Sequence, residues 1–364
     1  MRFVSPTECQ NIVDAAVSEA LLKIQRAPRP FKIFGLNSSK GYTDKVCEHL
    51  GVTRTPHEEK LFDDGENYAK SSGEEIGNVR GHDVFVIQSL YSDDKESVSD
   101  KFVKLCWMIG SLKDASAHEV TAIIPHLGWA RQDRKTASRE PVTTKYRARM
   151  LESVGMDRGL FFDVHNLSAE QNAFTVPIDN LEAKNLFADY CAEKLKNSKK
   201  IAVLTPDSGG LHRANSFRGA LVNRLRRIDP SIVEDIIEIA IFDKIRVKGK
   251  VKGGRIIGDV DGADIIAYDD MISTGGTMKA ACKCAEKSGG NLFAICATHG
   301  LFCGTANEVF DDFDTRIVIS DTVDPFRLNE NNRKKVEMVS TAKMMADAVL
   351  RIHYGIGSIS ELLK

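Results

Sequence analysis

The chain reads as an α/β protein built on mainly parallel sheets with helices on both faces. Three observations predict this. Short, continuously apolar runs recur along the chain, and helical patterns separate many of them. Loops rich in glycine, acids or cations follow these runs directly, the usual place for function in such sheets. With 364 residues there is enough chain for two domains of ordinary size.

The elements follow in order. Ser5-Pro6-Thr7-Glu8 reads as a helix start, with a serine cap, proline in the first turn and glutamate three residues after the cap. Ile12, Val13, Ala16, Val17, Ala20, Leu21 and Ile24 form one apolar face, and Pro28 and Pro30 end the helix. It precedes the first strand, Phe31 to Leu36, and reads as an appendage. Further strands are expected at Val84 to Gln88, Ala122 to Pro125, Gly159 to Phe162, Ile201 to Thr205, Ile236 to Phe242, Asp264 to Tyr268, Leu292 to Ala297 and Arg316 to Ile319. Met278, Ala281, Cys282 and Ala285 stand at helical spacing, with Gly289 closing that helix. A last helix, Ala342 to Tyr354, ends at Gly355. Its two possible seats are the second lobe and the first. The break between lobes is expected around Pro177 to Leu186, giving an N-terminal extension over 1–30 and domains over 31–181 and 182–364.

Composition excludes several classes of function. A net charge of −1 offers no global field for nucleic acid or a membrane surface. The eight cysteines are scattered without a C-x-x-C pair, which suits reduced thiols rather than zinc. No apolar run reaches the ~18 residues of a membrane span. The first residues lack a signal-peptide core. A cytoplasmic location is expected.

The most informative stretch is Ile265 to Thr277, IIAYDDMISTGGT. A buried strand delivers Asp269 and Asp270 to a hydroxyl- and glycine-rich turn. Backbone amides of Ser273, Thr274, Gly275, Gly276 and Thr277 can face a phosphate, and the following helix aims its positive end there. The aspartates suit a sugar diol or a hydrated Mg²⁺. Sugar hydroxyls beside a phosphate mean a phosphorylated ribose. Four other strand ends carry chemistry. Arg131, Arg134 and Lys135, after the strand ending at Pro125, suit a phosphate or nucleotide site. His165, beside Asp163, suits a metal or phosphate chain. Asp207 sits in a glycine turn, Pro206 to Gly210, that suits a metal-held phosphate. Lys244 and Arg246 open a cationic, glycine-containing run to Arg255 that reads as a flap over a polyphosphate.

Taken together and in this order, these stretches resemble the ribose-phosphate pyrophosphokinase (phosphoribosyl-pyrophosphate synthetase) family. FDDGE (Phe62 to Glu66), VRGHDVFVIQS (Val79 to Ser89), ARQDRK (Ala130 to Lys135), SREP (Ser138 to Pro141), PIDNL (Pro177 to Leu181), PDSGG–RA (Pro206 to Ala214), GDVDG (Gly258 to Gly262), DDMISTGGT and ATHGLF (Ala297 to Phe302) carry the resemblance. It runs from about Phe31 to the C-terminus. It implies two phosphoribosyltransferase-like domains, each a mainly parallel sheet flanked by helices. It also implies transfer of the pyrophosphoryl group of Mg-ATP to the 1-hydroxyl of ribose 5-phosphate. By the same resemblance Asp64, Gly65 and Glu66 form the nucleotide-base loop of a neighbouring subunit, and Arg131 and Gln132 bind ATP. His165 and Asp207 are Mg²⁺-linked, Lys244 and Arg246 are the catalytic flap cations, and Asp269, Asp270 and the 273–277 turn hold ribose 5-phosphate. The implied assembly is a homo-oligomer of the hexamer-of-dimers type.

The chain departs from the family pattern in places. Ser273 stands where a second acid is usual, and Ile245 where a third flap cation is common. Asn37-Ser38-Ser39-Lys40 alters the first-strand loop. Two rival readings stand beside the synthetase. One is a non-catalytic homologue that co-assembles with an active enzyme, in which loss of flap or metal residues is expected. The other is a nucleobase phosphoribosyltransferase, which needs only one such domain and no ATP site.

Overall fold

A computed structural model describes residues 29–70, 78–247 and 250–364, and the side chains of 245–247 and 250–252 are outside that description. The helix expected over Ser5 to Ala27, Cys9, and the side chain of Arg246 therefore lie outside the described residues.

Two sheets form the frame. The first holds β1 (Phe31–Gly35), β4 (Asp83–Ile87), β5 (Glu119–Ile124), β6 (Arg158–Phe162) and β7 (Ile178–Leu181) in that order, all parallel. A separate hairpin, β2 (Glu58–Leu61) and β3 (Asn67–Lys70), lies in the β1–β4 connection. The second sheet runs β10 (Lys250–Ile257), β9 (Ile237–Val247), β8 (Ile201–Thr205), β11 (Asp264–Ile272), β12 (Asn291–Gly300), β13 (Ile317–Ser320) and β14 (Val336–Val339). Only the β9–β10 pair in it is antiparallel. This is the α/β, mainly parallel architecture expected.

Strand periodicity explains how the sheets are covered. Ile33, Phe85 and Ile87 enter one core, whereas Phe34, Val84 and Val86 enter another. In the second sheet Ile266 and Tyr268 face the same shared core, and Ile265 and Ala267 face a third. The shared core lies between the sheets. It is filled from α1 (Lys40–Leu50), α5 (Lys184–Leu195), α6 (Leu211–Ile228) and α10 (Ala342–Tyr354), through Val46, Phe187, Phe217 and Val349 among others. Phe217 stacks on Tyr268 at 4.3 Å. The outer face of the first sheet takes α2 (Val98–Asp114) and α3 (Thr143–Ser153). That of the second takes α7 (Gly276–Lys287) and α8 (Ala306–Asp311). The short helices α4 (Leu167–Ala173) and α9 (Glu330–Arg333) are the remaining α-helices among the described residues.

The last helix crosses back onto the first lobe. α10 packs on α1, Tyr42 Oη and Thr341 Oγ1 lie 3.0 Å apart, and His353 Nδ1 meets Asp83 Oδ2 at 2.9 Å. Its C-cap, Gly355, has φ +61°, the left-handed residue that ends a helix. Among the described residues no helix is long and apolar enough to cross a membrane.

Candidate active site

In the second sheet β8 has β9 on one side and β11 on the other, so the loops after β8 and β11 leave in different directions. That divergence opens a crevice at the strands' carboxyl ends. After β8, Asp207 caps a tight turn. Its Oδ1 accepts from Gly209 N (3.0 Å) and Gly210 N (3.3 Å), which fixes the carboxylate and leaves Oδ2 to meet Lys244 Nζ at 3.0 Å. Burial raises the carboxyl's pKa. Lys244 and the two amides outweigh it and hold Asp207 below the usual range.

After β11 the chain turns through 273–275 into α7. Gly275 has φ +78°, and a Cβ there would stand 2.6 Å from Phe310 Cε2, so both backbone and packing demand glycine. Gly276 differs: among the described residues, apart from its chain neighbours and its own helix backbone, a Cβ would meet nothing nearer than Thr274 Oγ1 at 3.9 Å. The space beside the first helical residue is left open. Among the described residues no side chain caps α7, so its first amides are left for an outside acceptor.

Asp269 and Asp270 both reach Arg213 Nη1, but they differ in exposure and in their other partners. Asp269 is partly exposed on the crevice and accepts from Arg213 Nη1 at 2.8 Å. Asp270 is buried. It accepts from His165 Nδ1 at 2.8 Å and stands 3.3 Å from Arg213 Nη1. Burial and the Asp270 charge push Asp269 up. Against its own burial, Asp270 is held below the carboxylate range by His165 and Arg213. The hydrogen bond to Asp270 raises His165, opposed by burial, and leaves Nε2 as the nitrogen able to meet a ligand.

The first lobe closes the crevice. Arg131 reaches across so that its Nε lies 3.0 Å from Met271 Sδ. A cavity of about 400 Å³ is lined by Arg131, His165, Asp207, Lys244, Asp269 and Asp270, together with Ser273, Thr274, Gly275 and Thr277 of the turn. It adjoins one of about 960 Å³ between the lobes, which shares Arg131, His165, Asp207 and Asp269. Gln132 is not brought into either cavity, because its side chain accepts from Thr143 Oγ1 on α3. Asp64, Gly65 and Glu66 form the exposed tip of the β2–β3 hairpin, away from this chain's own cavity.

The donors suit Mg²⁺ carried on a nucleotide. Among the described residues no three His, Cys, Asp or Glu side chains group closely enough to cage a metal. Asp207, Asp269 and His165 nevertheless share one cavity wall. Mg²⁺ takes one or two carboxylates, keeps waters and is completed by substrate phosphates, so sparse oxygen donors fit it.

Sequence reading missed Arg213. It lies one turn into α6, inside the PDSGG–RA stretch, where only its place just after a phosphate-type turn could have singled it out. It is the cation that links Asp269, Asp270 and the His165 carbonyl oxygen (3.4 Å from Nη2).

An open amide turn at a sheet switch point, with acids beside it and cations converging from both sheets, defines an α/β protein built to handle phosphate esters. The family model for the N-terminal domain of ribose phosphate pyrophosphokinase matches residues 31–155, and that for the phosphoribosyl synthetase-associated domain matches 226–364. The chain is 35% identical to a putative ribose-phosphate pyrophosphokinase 2 of Lactococcus lactis, over 89% of this chain and 93% of the relative. It is 32% identical to a ribose-phosphate pyrophosphokinase of Parasynechococcus marenigrum, over 91% and 93%. The crystal structure of phosphoribosylpyrophosphate synthetase from Mycobacterium smegmatis superposes with a TM-score of 0.77 at 27% identity, covering 90% of this chain and 100% of that one. The chain belongs to the ribose-phosphate pyrophosphokinase family.

Proposed function

We propose that this chain transfers the pyrophosphoryl group of Mg-ATP to the 1-hydroxyl of ribose 5-phosphate, giving 5-phosphoribosyl 1-diphosphate and AMP. The observation that carries this reading is the meeting of Arg131, Lys244, Asp207 and Asp269 with the open 273–277 turn on one cavity. The sugar's 5-phosphate sits on the amides of Ser273 to Thr277, in the space beside Gly276. Asp269 exchanges Arg213 for ribose hydroxyls. Arg131 holds the polyphosphate from the first lobe. The sugar's 1-hydroxyl oxygen attacks the β-phosphorus and gives up its proton to solvent, the bond from that phosphorus to the α,β-bridging oxygen breaks, and that pair of electrons leaves with AMP. Lys244 and Arg246 neutralise charge on the migrating group and the leaving phosphate, since such transfers rest on positioning and charge compensation. Asp207, Asp269 and His165 would hold the Mg²⁺ of the nucleotide, which would supply further neutralisation of the phosphates. Asp270 serves differently from Asp269: buried, it fixes His165 and Arg213. Asp64, Gly65 and Glu66, at an exposed tip reaching in from a neighbouring subunit, and Gln132 complete the nucleotide site in a homo-oligomer in the cytoplasm.

The test is incubation with Mg-ATP and ribose 5-phosphate. AMP and a sugar product heavier by two phosphates are expected in equal amounts. ADP with a singly phosphorylated product, or turnover only with a nucleobase, would overturn the reading.

A further inference from the structure

One charged pair stands outside this site but touches both first-lobe segments that feed it. Arg147, on α3, and Glu170, in the first turn of α4, pair with side chains that are each 1% exposed. Arg147 Nη1 donates to the Gly128 carbonyl oxygen at 2.6 Å, and Nη2 donates to Glu170 Oε2. Gly128 opens the loop that leads through Trp129, at φ +58°, to Arg131. Glu170 follows His165 and Asn166, and Asn166 caps α4 while donating to Asp133 Oδ2 at 2.6 Å.

As a source of stability the pair is poor. Arg147 Nε and Glu170 Oε1 are buried without a hydrogen-bond partner. Burial pushes Glu170 up and Arg147 down, with each partner opposing the shift in the other. Such pairs often do no better than apolar residues of similar volume, although breaking one by removing a single partner is costly. What apolar residues cannot supply is a planar fork with two fixed directions.

We propose that Arg147 and Glu170 are positioning residues: one guanidinium fixes the Arg131 loop and the His165 segment relative to each other, so that a nucleotide polyphosphate meets both. This rests on the proposed reaction, in which Arg131 and His165 face Mg-ATP. The pair touches neither substrate. The ribose 5-phosphate turn belongs to the other lobe and the clamp touches it only through His165 and Arg213, so its affinity depends on the clamp less than that for ATP.

The test is the double variant Arg147→Met/Glu170→Met in the full chain, which removes both charges together. Its melting temperature is expected within about 3 °C of wild type, whereas Arg147→Met alone falls well below. In the double variant kcat/KM for ATP should drop about 10- to 100-fold, the scale of a small misplacement of reacting groups. KM for ribose 5-phosphate should change less than about 2-fold if the second-lobe turn is untouched. Amide hydrogen exchange should quicken over 128–133 and 164–170 and stay unchanged over 273–277. Native kcat/KM for ATP, or unchanged exchange over either first-lobe segment, would overturn the proposal. Should the double variant fail to fold, Arg147→Lys decides. Its point charge cannot serve both acceptors, so the same selective loss for ATP is expected, and native ATP constants overturn the clamp. A wild-type protein that releases no AMP would sink the proposed reaction instead, and the exchange pattern still reads the clamp on its own.

Discussion

At the scale of single residues, two side chains define measurable behaviour. Lys244 Nζ lies 3.0 Å from Asp207 in a shared cavity, and in the proposed reaction it turns to the migrating phosphates. Lys244→Ala should lower turnover by about 100-fold or more while ribose 5-phosphate still binds, the usual scale for losing a preorganised charge. Steady-state kinetics with a direct sugar-binding titration would show this, and near-native turnover would count against the flap role. His299 is the second. It is buried between the lobes, with Nδ1 2.8 Å from Thr322 Oγ1 and Nε2 3.2 Å from the Phe162 carbonyl oxygen, and its ring is 4.6 Å from His126. Burial lowers it from 6.5 to about 4. Between those values the unfolded chain binds a proton that the native chain does not. The stability His299 contributes is therefore complete above pH 6.5 and drains away as pH falls toward 4. Asp163, pushed up to about 6 by burial, runs the opposite way and partly masks this in wild type. Relative to wild type, His299→Gln should gain about 3 kcal/mol between pH 6.5 and pH 4, the proton-binding difference between 6.5 and about 4 at about 1.36 kcal/mol per pH step. Urea unfolding at several pH values tests it, and parallel curves for the two proteins would refute it.

At the scale of elements, the turn at 273–277 separates folding from binding. Gly275→Ala meets both a left-handed backbone and the Phe310 ring, and should cost about 2 kcal/mol or more. Gly276→Ala meets nothing among the described residues nearer than Thr274 Oγ1 at 3.9 Å, apart from its own helix backbone and chain neighbours, and gains helix propensity, so the fold should hold or strengthen. Its methyl would fill the phosphate space, however, and KM for ribose 5-phosphate should rise about 10-fold or more, at least 1.4 kcal/mol of binding. A melting curve beside a KM measurement distinguishes the two glycines. Equal sugar affinity in Gly276→Ala would remove the phosphate from this turn. The same turn shows what could be read from sequence. Apolar strands such as Ile201–Thr205 and Ile317–Ser320 announced themselves, as did the loops after them and the helix closing at Gly355. Strands β2, β3, β7, β10 and β14 did not, because EEKL, NYAK, IDNL, KVKGGRII and VEMV sit at edges or in a hairpin and carry polar residues on exposed backbone. Nor was the division of labour between Asp269 and Asp270 legible. Both line the crevice, and only the folded chain shows that Asp270 is buried against His165 while Asp269 stays partly exposed.

For the whole molecule, the choice between two seats for the last helix matters most. Sequence placed Ala342 to Tyr354 correctly but could not say which lobe it covers, since an apolar stripe does not name its partner. The structure seats it across α1 of the first lobe, in a core that also holds Phe187, Phe217 and strands of both sheets. Buried hydrogen bonds tie the same seam, among them Ser89 Oγ to the Thr322 carbonyl oxygen at 2.8 Å and Thr298 Oγ1 to Asp163 Oδ2 at 2.6 Å. A crevice whose cations and acids come from opposite lobes needs such a seam, because 1 Å of relative slip would pull Arg131 from Met271 and His165 from Asp270. The lobes should therefore unfold together, and the chain carries its own reporter. Both tryptophans, Trp107 and Trp129, lie in the first lobe, so their fluorescence reads that lobe alone, while far-ultraviolet circular dichroism reads the whole. Val349→Asp buries an unpaired carboxylate in the last helix, far along the chain from either tryptophan, and should cost about 4 kcal/mol or more. If the core is one cooperative unit, the fluorescence and dichroism midpoints fall by the same amount and stay superimposed. Should the tryptophan transition keep its wild-type midpoint while dichroism shifts, the lobes are energetically separate, and the seam does not set the geometry of the crevice.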